Sequence, residues 1–346
     1  MVELLQPKLT KALVIHHQDD LRLDTLPVTA PSADEAIIRL SWGGICGSDM
    51  HYFAHGGVGT SVLKEPMILG HEVSGVVESL GTANAHFKIG DAVAIHPALP
   101  CGKCPECLRK AEHLCRHMRF FGSAALTPHT NGGFREHMTV NLSQLFKLPE
   151  NLDLQTACLA EPLSVALHAI VRAGDVKGRN IMVQGAGPIG ALIVAGLKVA
   201  GAKTIIATDL QDFPLETARH LGATATFNTA HSVHDNEYDI VFEATGVPKA
   251  FESAVKCTQK GGVLVQVGMF PPGEVSVPLS QIISREIDYR GTFRFNREFG
   301  NALTILSQNP WIASGLITQT FPLDKYSDAF KVCANRKISS KVLLEI

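Results

Sequence analysis

Apolar and polar positions follow two different periods along this chain. In the first 155 or so residues the runs are short and alternating. Over residues 35–42, Ala36, Ile38, Leu40 and Trp42 fall on one face, and Glu35, Arg39 and Ser41 on the other, the period of two expected of a half-buried strand. Gly90 and Asp91 punctuate the chain just before another short strand, Ala92–Ile95. This half predicts antiparallel, loop-rich β-structure. From about 157 to 298 the texture becomes strand–helix–strand. Short runs rich in β-branched residues at 181–184, 204–208, 240–243 and 262–267 are separated by helix-like stretches, among them 192–200, 215–221 and 250–257. That alternation predicts a doubly wound parallel sheet. After about 299 the pattern turns irregular, and the simplest expectation is a tail that returns to complete the first domain. The expected organisation is therefore α/β: a β-rich domain of residues 1–156 with 299–346, interrupted by a nucleotide-type domain over 157–298. No internal repeat or low-complexity segment is present.

A chain of 346 residues has room for two cores. Its composition, 45% hydrophobic and 18% charged, is that of a globular protein rather than a disordered one. The net charge of −2 argues against a nucleic-acid or anionic-membrane partner, since both need a basic surface. Residues 181–200 are apolar enough to suggest a membrane span. Gln184 and Lys198 interrupt them, and Gly185, Gly187, Pro188 and Gly190 sit near the start, so a strand, a glycine turn and a buried helix explain them better. The first residues lack a basic region followed by an apolar stretch and a small-residue cleavage site, so no secretory leader is expected. Four of the eight cysteines lie between 101 and 115. Without a leader, such crowding points to metal rather than disulfides, and to a reducing, cytoplasmic setting.

Three motifs carry chemistry. Gly185-Ala-Gly187-Pro188-Ile189-Gly190 follows a strand-like run and opens an apolar helix, the context a dinucleotide fingerprint requires. The glycines permit a tight turn, approach of a pyrophosphate and close helix–strand packing, and the helix N-terminus offers N–H groups to phosphate. Nineteen residues beyond Gly190 the next strand ends in Asp209, which can accept from adenosine ribose hydroxyls and repel a 2′-phosphate. No Arg or Lys occurs over 210–218, so NAD is expected over NADP. The second motif, Cys101-x2-Cys104-x2-Cys107-x7-Cys115, can wrap one tetrahedral zinc with no open position, a structural site. An iron–sulfur cluster or free thiols are the chemical alternatives. The third is dispersed: Cys46-Gly-Ser48-Asp49-Met-His51, Gly70-His71-Glu72 and Ala160-Glu161-Pro162. Cys, His and carboxylate are the mixed ligands of a catalytic zinc. Taken singly, each also reads as structural: Cys46 a buried small residue, His71 a core histidine, Glu161 a helix-terminus acid.

GGICGSDMHY (43–52), LGHEVSGVV (69–77), the four-cysteine run, EPLSVALHA (161–169) and GAGPIG (185–190), in this order and spacing, resemble the zinc-dependent medium-chain dehydrogenase/reductase family over nearly the whole chain. In its polyol branch a glutamate precedes Pro-Leu-Ser where alcohol dehydrogenases carry cysteine, and Glu161 matches. MRFFGSA (118–124), the Pro-His and Gly-Gly-Phe pairs between 128 and 134, VGM (267–269) and GTFRF (291–295) are similar to the L-idonate 5-dehydrogenase group of sugar-acid enzymes within that branch.

The resemblance implies a GroES-like catalytic domain with an inserted Rossmann domain and an active site in the cleft between them. It implies two zinc ions per chain. Cys46 and His71 would ligate the catalytic ion, with Glu72 or Glu161 as the third protein ligand, a choice the residues leave open. Asp49 would hold the ligating imidazole in one tautomer. Ser48 would take the alcohol proton and His51 pass it to solvent by way of the cofactor ribose. Val267 and Gly268 would join the glycine turn and Asp209 at the cofactor. Phe121 would line the pocket, and Arg294 would reach substrate hydroxyls. The implied reaction is NAD-linked oxidation of a secondary alcohol of a sugar acid, L-idonate to 5-keto-D-gluconate, by a homo-oligomer, dimer or tetramer. A distant carboxylate on such a substrate needs a cation. Arg119 and Arg294 are candidates, and His129 and Lys64 further ones. The alternatives are a sorbitol- or xylitol-type polyol dehydrogenase, a threonine or simple-alcohol dehydrogenase, which Glu161 argues against, and a non-enzymatic NAD sensor, which intact zinc ligands argue against.

Overall fold

The computed structural model describes residues 8–83, 86–231, 234 and 236–346. Residues 1–7, on which the expectation of no secretory leader partly rests, lie outside the described residues. The chain divides into two compact units, one of 1–161, 319–331 and 342–346, the other of 162–318 and 332–341.

The first unit is built on antiparallel pairing. Its larger sheet runs in the order Leu145–Lys147, Ala92–Ile95, Glu72–Leu80, Glu35–Gly44, Lys341–Glu345, Ile317–Pro322, and His137–Asn141 also pairs with Glu35–Gly44. A smaller sheet joins Asp20–Pro27, Leu9–His17 and Met67–Ile68. The expected alternation holds at Ala36, Ile38 and Leu40, all buried, with Arg39 exposed. It fails at Trp42, which is only half-buried. A register shift against the neighbouring strand between Leu40 and Trp42 rotates the pleat there, and Gly43 and Gly44 take the buried positions instead.

The second unit holds a six-stranded parallel sheet in the order Ala225–Asn228, Thr204–Asp209, Asn180–Gln184, Tyr238–Glu243, Thr258–Gln266, Asp288–Gly291. By sequence this is 3-2-1-4-5-6, the dinucleotide-binding order, which reverses beside Asn180–Gln184. The apolar stretch from 181 is this strand, a glycine turn and the helix Pro188–Val199, which is buried from Gly190 to Leu197. Among the described residues no helix is long and apolar enough to cross a membrane.

The tail is more regular than its pattern suggested. Phe299–Gln308, Trp311–Leu316 and Tyr326–Ala334 are helices. Phe299, Ala302, Leu303 and Leu306 are buried at helical spacing. The helices are short and broken by Asn309 and Pro310, which hides their period. Residues 299–318 fall within the second unit.

Candidate active site

The strand Glu35–Gly44 delivers the chain to Cys46, which N-caps the helix Gly47–His55. Asp49, three residues on, is fully buried. Its carboxylate accepts the N–H of Cys46 at 2.9 Å and that of Gly70 at 3.1 Å. One carboxylate thus stitches the Cys46 turn to the His71 turn. Gly70 sits at φ +93, and a Cβ there would lie 2.3 Å from the Phe134 ring, so both conformation and space demand glycine. Gly44 pairs with Glu72 across the sheet.

These constraints bring Cys46, His71 and Glu72 together, with a donor atom of each within 4.8 Å of the others. His71 and Glu72 are buried. Nδ1 of His71 is buried without a hydrogen bond and lies 4.0 Å from Asp49 Oδ1. Burial pushes the Asp49 carboxyl above the usual range, opposed by the His71 charge and the two backbone N–H groups. An orphaned imidazole beside a thiol and a carboxylate is a donor set that fits one zinc with a position left open. Glu161 is buried at the start of the helix Ala160–Ala173. It does not belong to the three-donor group found among the described residues. Ser48 is half-buried and His51 exposed on the Gly47–His55 helix.

The four clustered cysteines also converge. Cys104 caps the short helix Pro105–Leu108, and Cys115 ends the turn Glu112–Leu114. The Cys104 sulfur is 3.5 Å from that of Cys107 and 3.8 Å from that of Cys115. Four sulfurs on a tetrahedral zinc at 2.3 Å stand about 3.8 Å apart, and none of the described cysteines is in a disulfide. Backbone N–H groups of Lys103 and Cys104 draw the Cys101 thiol down to about 6, which favours the thiolate a metal needs. Arg116 grips Glu106 through two bonds of 2.9 and 3.0 Å across the lobe.

Beyond Cys115 the strand Arg119–Phe120 pairs with Ala98–Leu99. Arg119 is exposed and Phe121 buried. The His129 ring is engaged on both sides by backbone: its Nδ1 pairs with the Leu126 carbonyl at 2.7 Å, and Nε2 takes the Lys64 N–H at 2.9 Å, so the ring ties two loops together. The Lys64 side chain is exposed. Arg294 stands at φ +52 with its guanidinium 5.0 Å from the centre of the Phe293 ring.

In the second unit, a Cβ on Gly190 would come 1.8 Å from the Gly185 carbonyl, so the helix begins hard against the strand. Gly187, the N-cap, is different. A Cβ there would meet nothing within 4 Å. The protein's own packing does not need glycine at 187, whereas a pyrophosphate approaching the N–H groups does. Asp209 accepts the Ala186 N–H at 2.9 Å and the Gln211 N–H at 3.0 Å, which turns its carboxylate toward the glycine loop. Glu243, not anticipated, is fully buried at a strand end. Its side chain accepts from the Thr245 N–H at 2.8 Å, the Gly246 N–H at 3.1 Å and Gln266 Nε2 at 2.6 Å, and from the Thr245 hydroxyl. Its carbonyl takes the N–H groups of Val267 and Gly268. Glu243 therefore sets the segment on which both expected cofactor residues stand.

The sequence matches the alcohol dehydrogenase GroES-like domain over residues 32–150 and the zinc-binding dehydrogenase family over 188–308. L-idonate 5-dehydrogenase (NAD(P)(+)) of Escherichia coli K12 is 35% identical over 336 residues, spanning 92% of this chain and 95% of that one. Sorbitol dehydrogenase of Bacillus subtilis 168 is 34% identical over 334 residues, 94% of each. The crystal structure of the Escherichia coli L-idonate 5-dehydrogenase superposes with a TM-score of 0.93 at 32% identity over 99% of both chains. With a zinc-fitting donor group in its GroES-like unit and a dinucleotide turn in its Rossmann unit, the chain belongs to the zinc-binding alcohol and polyol dehydrogenase family.

Proposed function

We propose that this dehydrogenase oxidises a secondary alcohol of a sugar acid, L-idonate at C5, with NAD as acceptor. The observation that carries the reaction class is the convergence of Cys46, His71 and Glu72 beside the buried Asp49. The substrate rests on the likeness to L-idonate 5-dehydrogenase and on the arginines available for a carboxylate. When bound, zinc supplies the Lewis acidity that brings a substrate hydroxyl's proton within reach at neutral pH, and nicotinamide supplies the hydride acceptor.

The chain's own residues do the rest. Asp49 braces both ligand turns, because its carboxylate accepts the N–H groups of Cys46 and Gly70, and its negative charge beside His71 favours a ligating imidazole. Ser48, two residues from Cys46, takes the alcohol proton. His51 shares its helix face at a spacing of three and hands that proton to solvent, a role imidazole performs in acid–base catalysis. Glu72 is the carboxylate in the three-donor group, and Glu161, a second buried carboxylate, is the alternative third ligand. Asp209 favours NAD by accepting from ribose hydroxyls and repelling a 2′-phosphate. Arg119 and Arg294 are the alternative cations for the substrate carboxylate. The active form is a cytoplasmic homo-oligomer.

Turnover of L-idonate, sorbitol, xylitol, threonine and ethanol by pure enzyme tests this. A kcat/KM for sorbitol equal to that for L-idonate would replace the sugar acid with a neutral polyol. That polyol reading has support of its own in the 34% identity to a sorbitol dehydrogenase.

A further inference from the structure

The two cysteine-bearing sites of the first unit are joined by a hairpin. Ala98–Leu99 leads into Cys101, the first thiol of the four-cysteine lobe, and Arg119–Phe120 leads out of Cys115, the last. The strands pair with Phe120 opposite Ala98. The lobe closes the base of this hairpin, where the Cys101 N–H reaches the Cys115 sulfur at 3.3 Å. Phe120 is buried in one apolar cluster with Cys104, Cys107, Cys115 and Met118. The same ring meets His71, with centroids 5.6 Å apart and planes tilted by 53°, inside the range of favourable aromatic pairs.

His71 needs such a neighbour. Its Nδ1 has no hydrogen bond, and the Asp49 oxygen at 4.0 Å is too far to fix the ring. Packing therefore has to hold the imidazole. The ring that does so is seated on the lobe.

We propose that Phe120 is a positioning residue that couples the two metal sites: it carries the order of the four-cysteine lobe to His71 and so sets how firmly the Cys46–His71–Glu72 group holds its metal. This rests on the reading above that both groups bind zinc. It assigns the lobe a task beyond stabilising its own loop. Removing lobe metal loosens the hairpin base, frees the Phe120 ring and leaves His71 without its packed face.

The test uses the whole enzyme loaded with zinc at the lobe and cobalt at the mixed site, so that the visible spectrum reports His71's ligand field. Three variants separate the explanations. Phe120→Leu keeps apolar volume but loses the ring, Phe120→Tyr keeps the ring, and Met118→Ala weakens the same cluster without touching that ring. Support for a ligand from outside the metal shell typically alters metal affinity by about 10–100-fold. Phe120→Leu should therefore release cobalt to a chelator about 10-fold faster and shift its spectrum, while lobe zinc is retained. Phe120→Tyr should behave as wild type. Met118→Ala should lower Tm and leave the cobalt spectrum and release rate nearer to wild type than Phe120→Leu does. The coupling is overturned if Phe120→Leu leaves spectrum and release rate unchanged. Wild-type enzyme that binds fewer than two metals per chain would overturn the zinc reading itself, and the coupling with it.

Discussion

A Cβ placed on Gly44 would stand 2.1 Å from Oε2 of Glu72, so the strand residue facing this carboxylate must be glycine for the acid to lie where it does. Gly44→Ala should push Glu72 out of the donor group. Overpacking of this kind costs about 1–3 kcal/mol, which a fall in Tm would register. Metal content should drop at the mixed site and hold at the four-cysteine lobe. Full retention of both metals would mean that Glu72 is not a ligand and would leave Glu161 in that role.

Two zinc ions with separable roles are expected per chain. Cys46→Ser should abolish turnover while the fold and the lobe metal survive. Cys104→Ser should chiefly cost stability, because metal binding at a four-thiolate lobe is linked to its folding. Elemental analysis and thermal melting of both variants distinguish the sites. Equal loss of both metals in either variant contradicts the separation.

Cofactor choice should follow charge at position 209. Asp209→Asn keeps an acceptor for one of the Ala186 and Gln211 N–H groups, gives up the other, and removes the repulsion of a 2′-phosphate. NAD should lose up to about 10-fold in kcat/KM, the scale of one hydrogen bond, and NADP should gain. A wild-type enzyme faster with NADP sinks the assignment.

A six-carbon aldonate oxidised at C5 carries its carboxylate several carbons from the reacting centre. Arg294→Met should cost roughly 10–100-fold in kcat/KM for L-idonate, the value of a hydrogen bond to a charged group, and much less for sorbitol. The same comparison with Arg119→Met decides between the two arginines. If neither variant separates the substrates, no guanidinium meets a carboxylate.

Burial depresses the His96 imidazole to about 4 in the folded chain. The unfolded chain then binds the extra proton as pH falls below about 6.5, so stability is complete above that value and is lost progressively toward pH 4. His96→Gln should flatten the fall in Tm between pH 7 and 5 relative to wild type. Parallel profiles for the two proteins would show that His96 does not contribute.

What the sequence displays and what it conceals divide along physical lines. The glycine turn and the four cysteines are local in the chain and were legible. Cys46 and His71 were legible only through a resemblance, because pairing between distant strands joins them. Trp42 looked like a core residue until the register shift beside it was known. Phe120 carries no chemical group, and its importance lies in the two clusters it touches. Glu243 sits at the end of an apolar strand before Thr245 and Gly246, and such an acid signals nothing until its donors are seen. His129 has the right chemistry for an anion, but both ring nitrogens are already engaged by backbone.

Leu343 lies beside Gly44 in the larger sheet, although about three hundred residues separate them, a costly loop to close by chance encounter. The parallel sheet of the second unit draws all its strands from one stretch of chain between them. Local closure outpaces distant closure, so during synthesis the six parallel strands of the second unit can pair while the sheet around Cys46 still lacks a strand. Metal loading at Cys46, His71 and Glu72 is then expected late in maturation, and a chain interrupted before 341 should form its parallel strands while failing to keep its catalytic ion.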